Sequence, residues 1–196
     1  MKAATQIEAK CARWKPLSLS LIILGTLTRV LPHPPNLTAV GAASLFSGAR
    51  LNGWRAYLAS LAIMAITEPI LSVLYGFPAF TWVSPFVYGS FAVNVWVGSK
   101  LRRTECAWKI AAASLIASTQ FFLITNFAVW AWGGGHHYAQ TVAGLTLCYV
   151  AGLPYFARTV AGDLLYSGVL FGVHAWLSRK AFPNERVLAT GAPATS

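Results

Sequence analysis

The sequence predicts an all-α polytopic membrane bundle: six transmembrane helices plus one short re-entrant or outer-face helix. Three observations carry this. Of 196 residues, 56% are apolar, and the mean hydropathy is +0.56. Charged residues make up 10%, against ~25% in a soluble domain. The apolar runs approach the ~20 residues that span a bilayer, and short breaks rich in proline, glycine or basic residues separate them. A soluble enzyme of this size would leave much of that surface in water, and a disordered chain would be far more polar.

The elements follow in order. Residues 1–15 are basic and expected at the cytoplasmic face. The run Leu17–Leu27 after a basic start is signal-peptide-like, but Thr28-Arg29-Val30-Leu31-Pro32-His33 lacks a small-x-small cleavage site. Residues 16–31 therefore read as an uncleaved first span. Pro16 suits a first helical turn, and Pro32, Pro34 and Pro35 stop the helix. The second span, 37–51, is short and rich in Ala39, Gly41, Ala42, Ala43, Ser44, Ser47 and Gly48. Small residues let helices approach closely, so it is expected inside the bundle. The third runs 54–75, with Pro69 inside it, the fourth 81–99 and the fifth 107–130. Gly133-Gly134-Gly135-His136-His137 then breaks the chain. A segment at 139–153 would reach only ~22 Å as a helix, short of the ~30 Å hydrocarbon core. It is expected to be re-entrant or to lie on the outer face. The last span is 157–178. Residues 16–178 thus form a single domain, followed by a polar cytoplasmic tail, 179–196, disordered from Pro183 onward.

Loop charges predict the topology. Lys2, Lys10, Arg13 and Lys15 precede the first span, and Arg50 and Arg55 join the second to the third. Lys100, Arg102, Arg103 and Lys109 join the fourth to the fifth, and Arg179, Lys180 and Arg186 follow the last. Loops 32–36, 76–80 and 131–138 carry no Lys or Arg. This is the positive-inside pattern, with both termini cytoplasmic in an inner (plasma) membrane. It also accounts for the net charge of +10 without a nucleic-acid partner. Lipid is the expected surrounding, and an interfacial belt explains most of the tryptophans.

Four charged residues fall within apolar segments: Arg29, Glu68, Arg158 and Asp163. Charge at that depth is costly and marks a functional site by default; internal ion pairs are the structural alternative. Arg29 with Asp163, and Arg158 with Glu68, are both allowed. In the predicted topology all four lie in the outer half of the bundle. His33, Trp82, Tyr88 and Asn126 lie there too, and an outward-opening pocket would gather them. Glu68 precedes Pro69, which resists helical geometry at that point and frees a carbonyl. Walker A, HExxH and GxSxG motifs are absent from the sequence, as is CxxC spacing among Cys11, Cys106 and Cys148. His136-His137 lacks nearby partner ligands for a metal. The expectation is a non-enzymatic protein without cofactor or metal.

The residues Arg29-Val-Leu-Pro-His-Pro-Pro-Asn36, Thr38-Ala-Val-Gly-Ala42, Leu45-Phe-Ser-Gly48, Phe121-Phe-Leu-Ile-Thr-Asn126 and Gly162-Asp163 resemble an uncharacterised family of small bacterial six-span membrane proteins. The resemblance runs from about 17 to 178 and implies no activity. More distantly, the pattern is similar to the substrate-binding S-components of energy-coupling-factor vitamin transporters, the solitary cobalamin-binding type above all. That resemblance implies an outward-facing pocket for a small organic solute. His33, Glu68, Trp82-Val-Ser-Pro-Phe-Val-Tyr88 and Arg158 would stand where that type places an outer histidine, an acid, a Cys-Val-Thr-Pro-Ala-Tyr segment and a late arginine. Trp82 replaces the cobalt-ligating cysteine and would stack on a ring instead. Asn126 and Asp163 would hydrogen-bond the solute, and Arg29 would balance an acid or touch an anionic group. The resemblance also brings in an energising transporter module as partner, although span one (Ser18, Ile22, Thr26) lacks the alanine-rich stripe used for docking. The expected function is therefore solute binding or uptake. The alternatives are a structural or accessory membrane subunit and, behind it, an intramembrane enzyme acting on lipid or quinone.

Overall fold

The computed structural model describes residues 15–31, 37–76, 78–133 and 137–187. Among them every regular element is helical: α1 (Pro16–Leu27), α2 (Val40–Arg50), α3 (Trp54–Tyr75), α4 (Ser84–Ser99), α5 (Ala107–Trp132) and α6 (Val142–Lys180). A 3-10 turn, Thr28–Val30, prolongs α1, and another, Pro183–Glu185, follows α6. The predicted boundaries agree to within a few residues for the first five. Gly53 and Gly76, both at positive φ (58° and 71°), bound α3, a backbone region that glycine enters without a Cβ penalty.

α6 departs from the prediction. The expected break between 153 and 157 is absent, and the short segment and the last span are one 39-residue helix. Pro154 removes one N–H and crowds one carbonyl, a loss of ~3 kcal/mol. Contacts on either side hold the helix through it. Cys148 Sγ donates to the Asn126 carbonyl, and Tyr149 Oη to that of Leu123 at 3.0 Å. Gly152 lies against Asn126 and Phe122. Segment 142–153 is therefore not a separate short helix but the first part of α6.

Three helices, α3, α5 and α6, are long and apolar enough to cross a membrane. α2 is shorter, but every one of its residues is buried, and it packs against the other five helices. A helix enclosed by protein need not match the bilayer. The distribution of polarity is inside-out. Val73, Ile66, Leu147 and Trp176 are exposed, whereas Ser18, Ser44, Ser47, Ser60, Ser90, Ser114, Ser118 and Ser167 are buried. Water would reverse that arrangement; lipid favours it, because buried hydroxyls join helices where hydrophobic burial gives no drive. Ser44 Oγ meets Ser60 Oγ at 2.6 Å, and Ser47 Oγ donates to the Ala56 carbonyl at 2.6 Å. Gly48 and Gly98 bring α2 and α4 into backbone contact. A Cβ on Gly48 would collide with the Val95 carbonyl, and one on Gly98 with that of Leu45.

The basic residues gather at one end of this bundle. Lys15 donates to the Arg50 carbonyl, Arg102 Nε to that of Gly48, and Arg179 pairs with Glu105 at 2.7 Å. Lys100, Lys109 and Lys180 lie 4.8, 5.7 and 4.8 Å from the rings of Trp96, Trp108 and Trp176, as in an interfacial belt. Two expectations at this end are corrected. Arg50, assigned to a loop, is 2% exposed and lies against Phe171 and Phe46. The tail is not disordered from Pro183: Glu185 is buried and accepts from Leu17 N at 2.8 Å, Ser18 N at 3.0 Å and Ser18 Oγ at 2.6 Å. The first turn of α1 has no local side-chain cap, and its unpaired N–H groups take the nearest carboxylate. Glu185→Ala is expected to lower stability by about 1–2 kcal/mol and to expose residues 183–187 to protease. Thermal unfolding and limited proteolysis check this, and Glu185→Gln, which keeps an acceptor, recovers part of the loss.

Candidate functional site

At the opposite end, the 3-10 turn after α1 and helices α2 to α6 surround a cavity of about 250 Å³. Four sequence-predicted site residues meet there: Arg29, Glu68, Tyr88 and Asp163. Arg29 Nη2 reaches Glu68 Oε2 at 2.9 Å, and its Nη1 donates to Thr67 Oγ1 at 3.3 Å. The pair joins the end of α1 to the proline-bearing turn of α3. It differs from both pairings considered from sequence, since Arg29 takes Glu68 and, among the described residues, no ion pair includes Asp163 or Arg158.

Asp163 lies on α6, 4% exposed. It accepts from Ser118 Oγ at 2.7 Å and from the backbone N–H of Ala42. Ala42 belongs to the first turn of α2, which has no local side-chain cap. Asp163 therefore caps α2 as Glu185 caps α1: a carboxylate from the C-terminal region satisfies free N–H groups at a helix start. Gly41 makes this approach feasible, since a Cβ there would lie 2.7 Å from the Asp163 Cγ.

Tyr88, on α4, has its hydroxyl buried with no hydrogen-bond partner among the described residues. Asn94, one turn and a half further along α4, is 1% exposed and lines the same cavity. It accepts from Gln120 Nε2 at 2.6 Å, and that amide also donates to the Ser90 carbonyl at 3.0 Å. Met64, Phe91 and Phe121 supply an apolar wall. The cavity thus offers an ion pair at one side, a free phenol, an amide floor and an aromatic wall, an arrangement that fits a small partly apolar solute with polar substituents.

The remaining predicted residues are not in this cavity. Asn126 lines a neighbouring hollow of about 190 Å³ between α5 and α6 and donates to the carbonyl of Phe122. Phe121 and Thr159 border both spaces. Trp82 is 45% exposed, and its neighbours Thr81 and Ser84 line the cavity in its place. Arg158 is exposed, on a different face of α6 from Asp163. Five residues turn a helix by ~500°, so the spacing predicted that separation. His33 lies outside the described residues. Asn94 and Gln120 were missed, though two amides within apolar spans were a legible signal.

A family model described as a family of unknown function (DUF6580) matches residues 11–187 of the chain. No curated protein and no solved structure matches it.

Proposed function

The chain belongs to the DUF6580 family, a family of unknown function, and we propose that it is an S-component-like binding or uptake protein for a small organic, vitamin-like solute. It spans the inner membrane six times with both termini cytoplasmic. The cavity of Arg29, Glu68, Tyr88 and Asn94 opens to the outer face. The observation that carries this reading is the Tyr88 hydroxyl, buried without a partner among the described residues on the wall of a cavity that already holds an ion pair. An unsatisfied buried hydroxyl costs ~1–3 kcal/mol, and a bound solute would remove that cost.

Native mass spectrometry of the protein purified from its own membrane is expected to show a co-purified small molecule, lost on Glu68→Gln. Purified protein without a ligand, together with unchanged solute uptake in a deletion strain, would sink the proposal. Tyr88→Phe separates the effects. It is expected to weaken the solute about fivefold, the value of one neutral hydrogen bond, while leaving the ligand-free protein as stable or slightly more so.

A second reading, a structural or accessory subunit, draws on Asp163. Its capping of α2 is complete without any ligand. Under that reading Glu68→Gln lowers the unfolding temperature and changes no uptake.

A further inference from the structure

The basic end of the bundle holds another unfilled space. A groove of about 220 Å³ runs between α5 and α6 and ends at Arg50 and Glu105. Arg50 is 2% exposed, yet its polar contacts are weak. Its Nη atoms reach the carbonyls of Ala49, Leu101 and Thr104 at 3.4 Å each, and its Nε has no partner among the described residues. Its guanidinium carbon sits 4.8 Å from the centre of the Phe171 ring. Glu105 Oε2 accepts from Arg179 Nη2, while its Oε1 is buried with no donor among the described residues. One nitrogen of a buried guanidinium and one oxygen of a carboxylate, each without a partner among the described residues, therefore border one groove.

The groove is open because α6 carries Gly168 and Gly172 on its wall. A Cβ at either would meet nothing within 4 Å. Gly144, Gly152 and Gly162 of the same helix all have close neighbours. Glycine in a helix costs ~1 kcal/mol relative to alanine, and nothing among the described residues uses the space these two leave. Leu164, Phe171 and Ala111 make the rest of the wall apolar.

We propose that this groove binds a membrane phospholipid whose headgroup carries both a phosphate and a hydrogen-bond donor. The phosphate supplies Arg50 with an acceptor. The ammonium or hydroxyl supplies Glu105 with a donor. The acyl chains lie along Gly168 and Gly172. Basic pockets between membrane helices recognise lipid headgroups in this way. A second helix packing on the two glycines is the competing occupant, but an apolar helix would leave both buried polar groups unsatisfied. The inference is independent of solute binding at the other end.

The experiment titrates the full-length protein in detergent with phosphatidylethanolamine, read by native mass spectrometry. Phosphatidylcholine has the same phosphate without an N–H donor and serves as the control. Phosphatidylethanolamine is expected to bind about tenfold more tightly than phosphatidylcholine, and Gly172→Leu or Gly168→Leu to weaken it about tenfold again, with helix content unchanged. Because leucine at these positions projects into open space, either variant is expected to fold; Arg50→Gln is a third variant and gives the same loss. Wild-type binding by both leucine variants overturns the proposal. So does equal binding of the two lipids, or of free phosphoethanolamine and the lipid. A dimer that Gly172→Leu turns into a monomer overturns it in favour of the helix.

Discussion

Gly98→Ala is expected to destabilise the bundle strongly by forcing α4 away from α2. A Cβ at 98 would lie 2.8 Å from the Leu45 carbonyl carbon, with the carbonyl oxygen closer still. The obstacle is backbone in a helix buried on every side, so no side chain can rotate away. α4 must move off α2 as a unit, and α2 touches every other helix. Overpacking of cores costs ~1–3 kcal/mol, and a rigid obstacle puts this case at about 3 kcal/mol or above. The check is unfolding in mixed micelles. Gly48→Ala is the internal control, because its Cβ would strike the Val95 carbonyl across the same interface. Once one alanine has parted the helices the other finds room, so the double variant is expected to cost little more than either single one. Additive losses would mean that the two glycines do not act at one seam.

The second large effect is at Asp163. Asp163→Ala leaves the Ala42 N–H without its acceptor at a buried site, while the Ser118 hydroxyl, which bonds to Asp163, falls back on the Ser114 carbonyl at 3.0 Å. The lost cap and the unpaired buried N–H are one interaction, worth ~1–3 kcal/mol. The expected loss is about 2 kcal/mol, seen as a lower unfolding temperature. Asp163→Asn keeps one carbonyl oxygen for the α2 turn and is expected to retain most of the stability. If Asp163 acts mainly as a cap, the asparagine variant also keeps solute binding within about twofold. If it contacts the solute as a charge, binding falls while stability holds. Both readouts come from the same purified samples.

The cavity was partly legible in the sequence. Arg29, Glu68 and Asp163 stood out because charge within an apolar run is costly, and all three line it. Their partners were not legible. Asp163 faces a helix start more than a hundred residues earlier, and Glu185 bonds to Leu17 across 168 positions. Arg158 carried the same signal as Arg29 but lies outside the cavity, since depth along a helix does not specify which face a residue occupies. Asn94 and Gln120 carry no charge and cost less to bury, so they gave a weaker signal for a comparable position.

The sequence by itself determined the class of the molecule and the limits of its first five described helices. Apolar run length, proline and glycine act locally and add along the chain, so they can be read in order. Only the tertiary structure decided that α6 continues through Pro154, that Arg50 is interior, and that two acids serve as caps for distant helices. Each of these depends on what another helix places beside the residue. The penalty of a proline, a buried guanidinium or a free N–H turns on the partner that packing brings within about 3 Å.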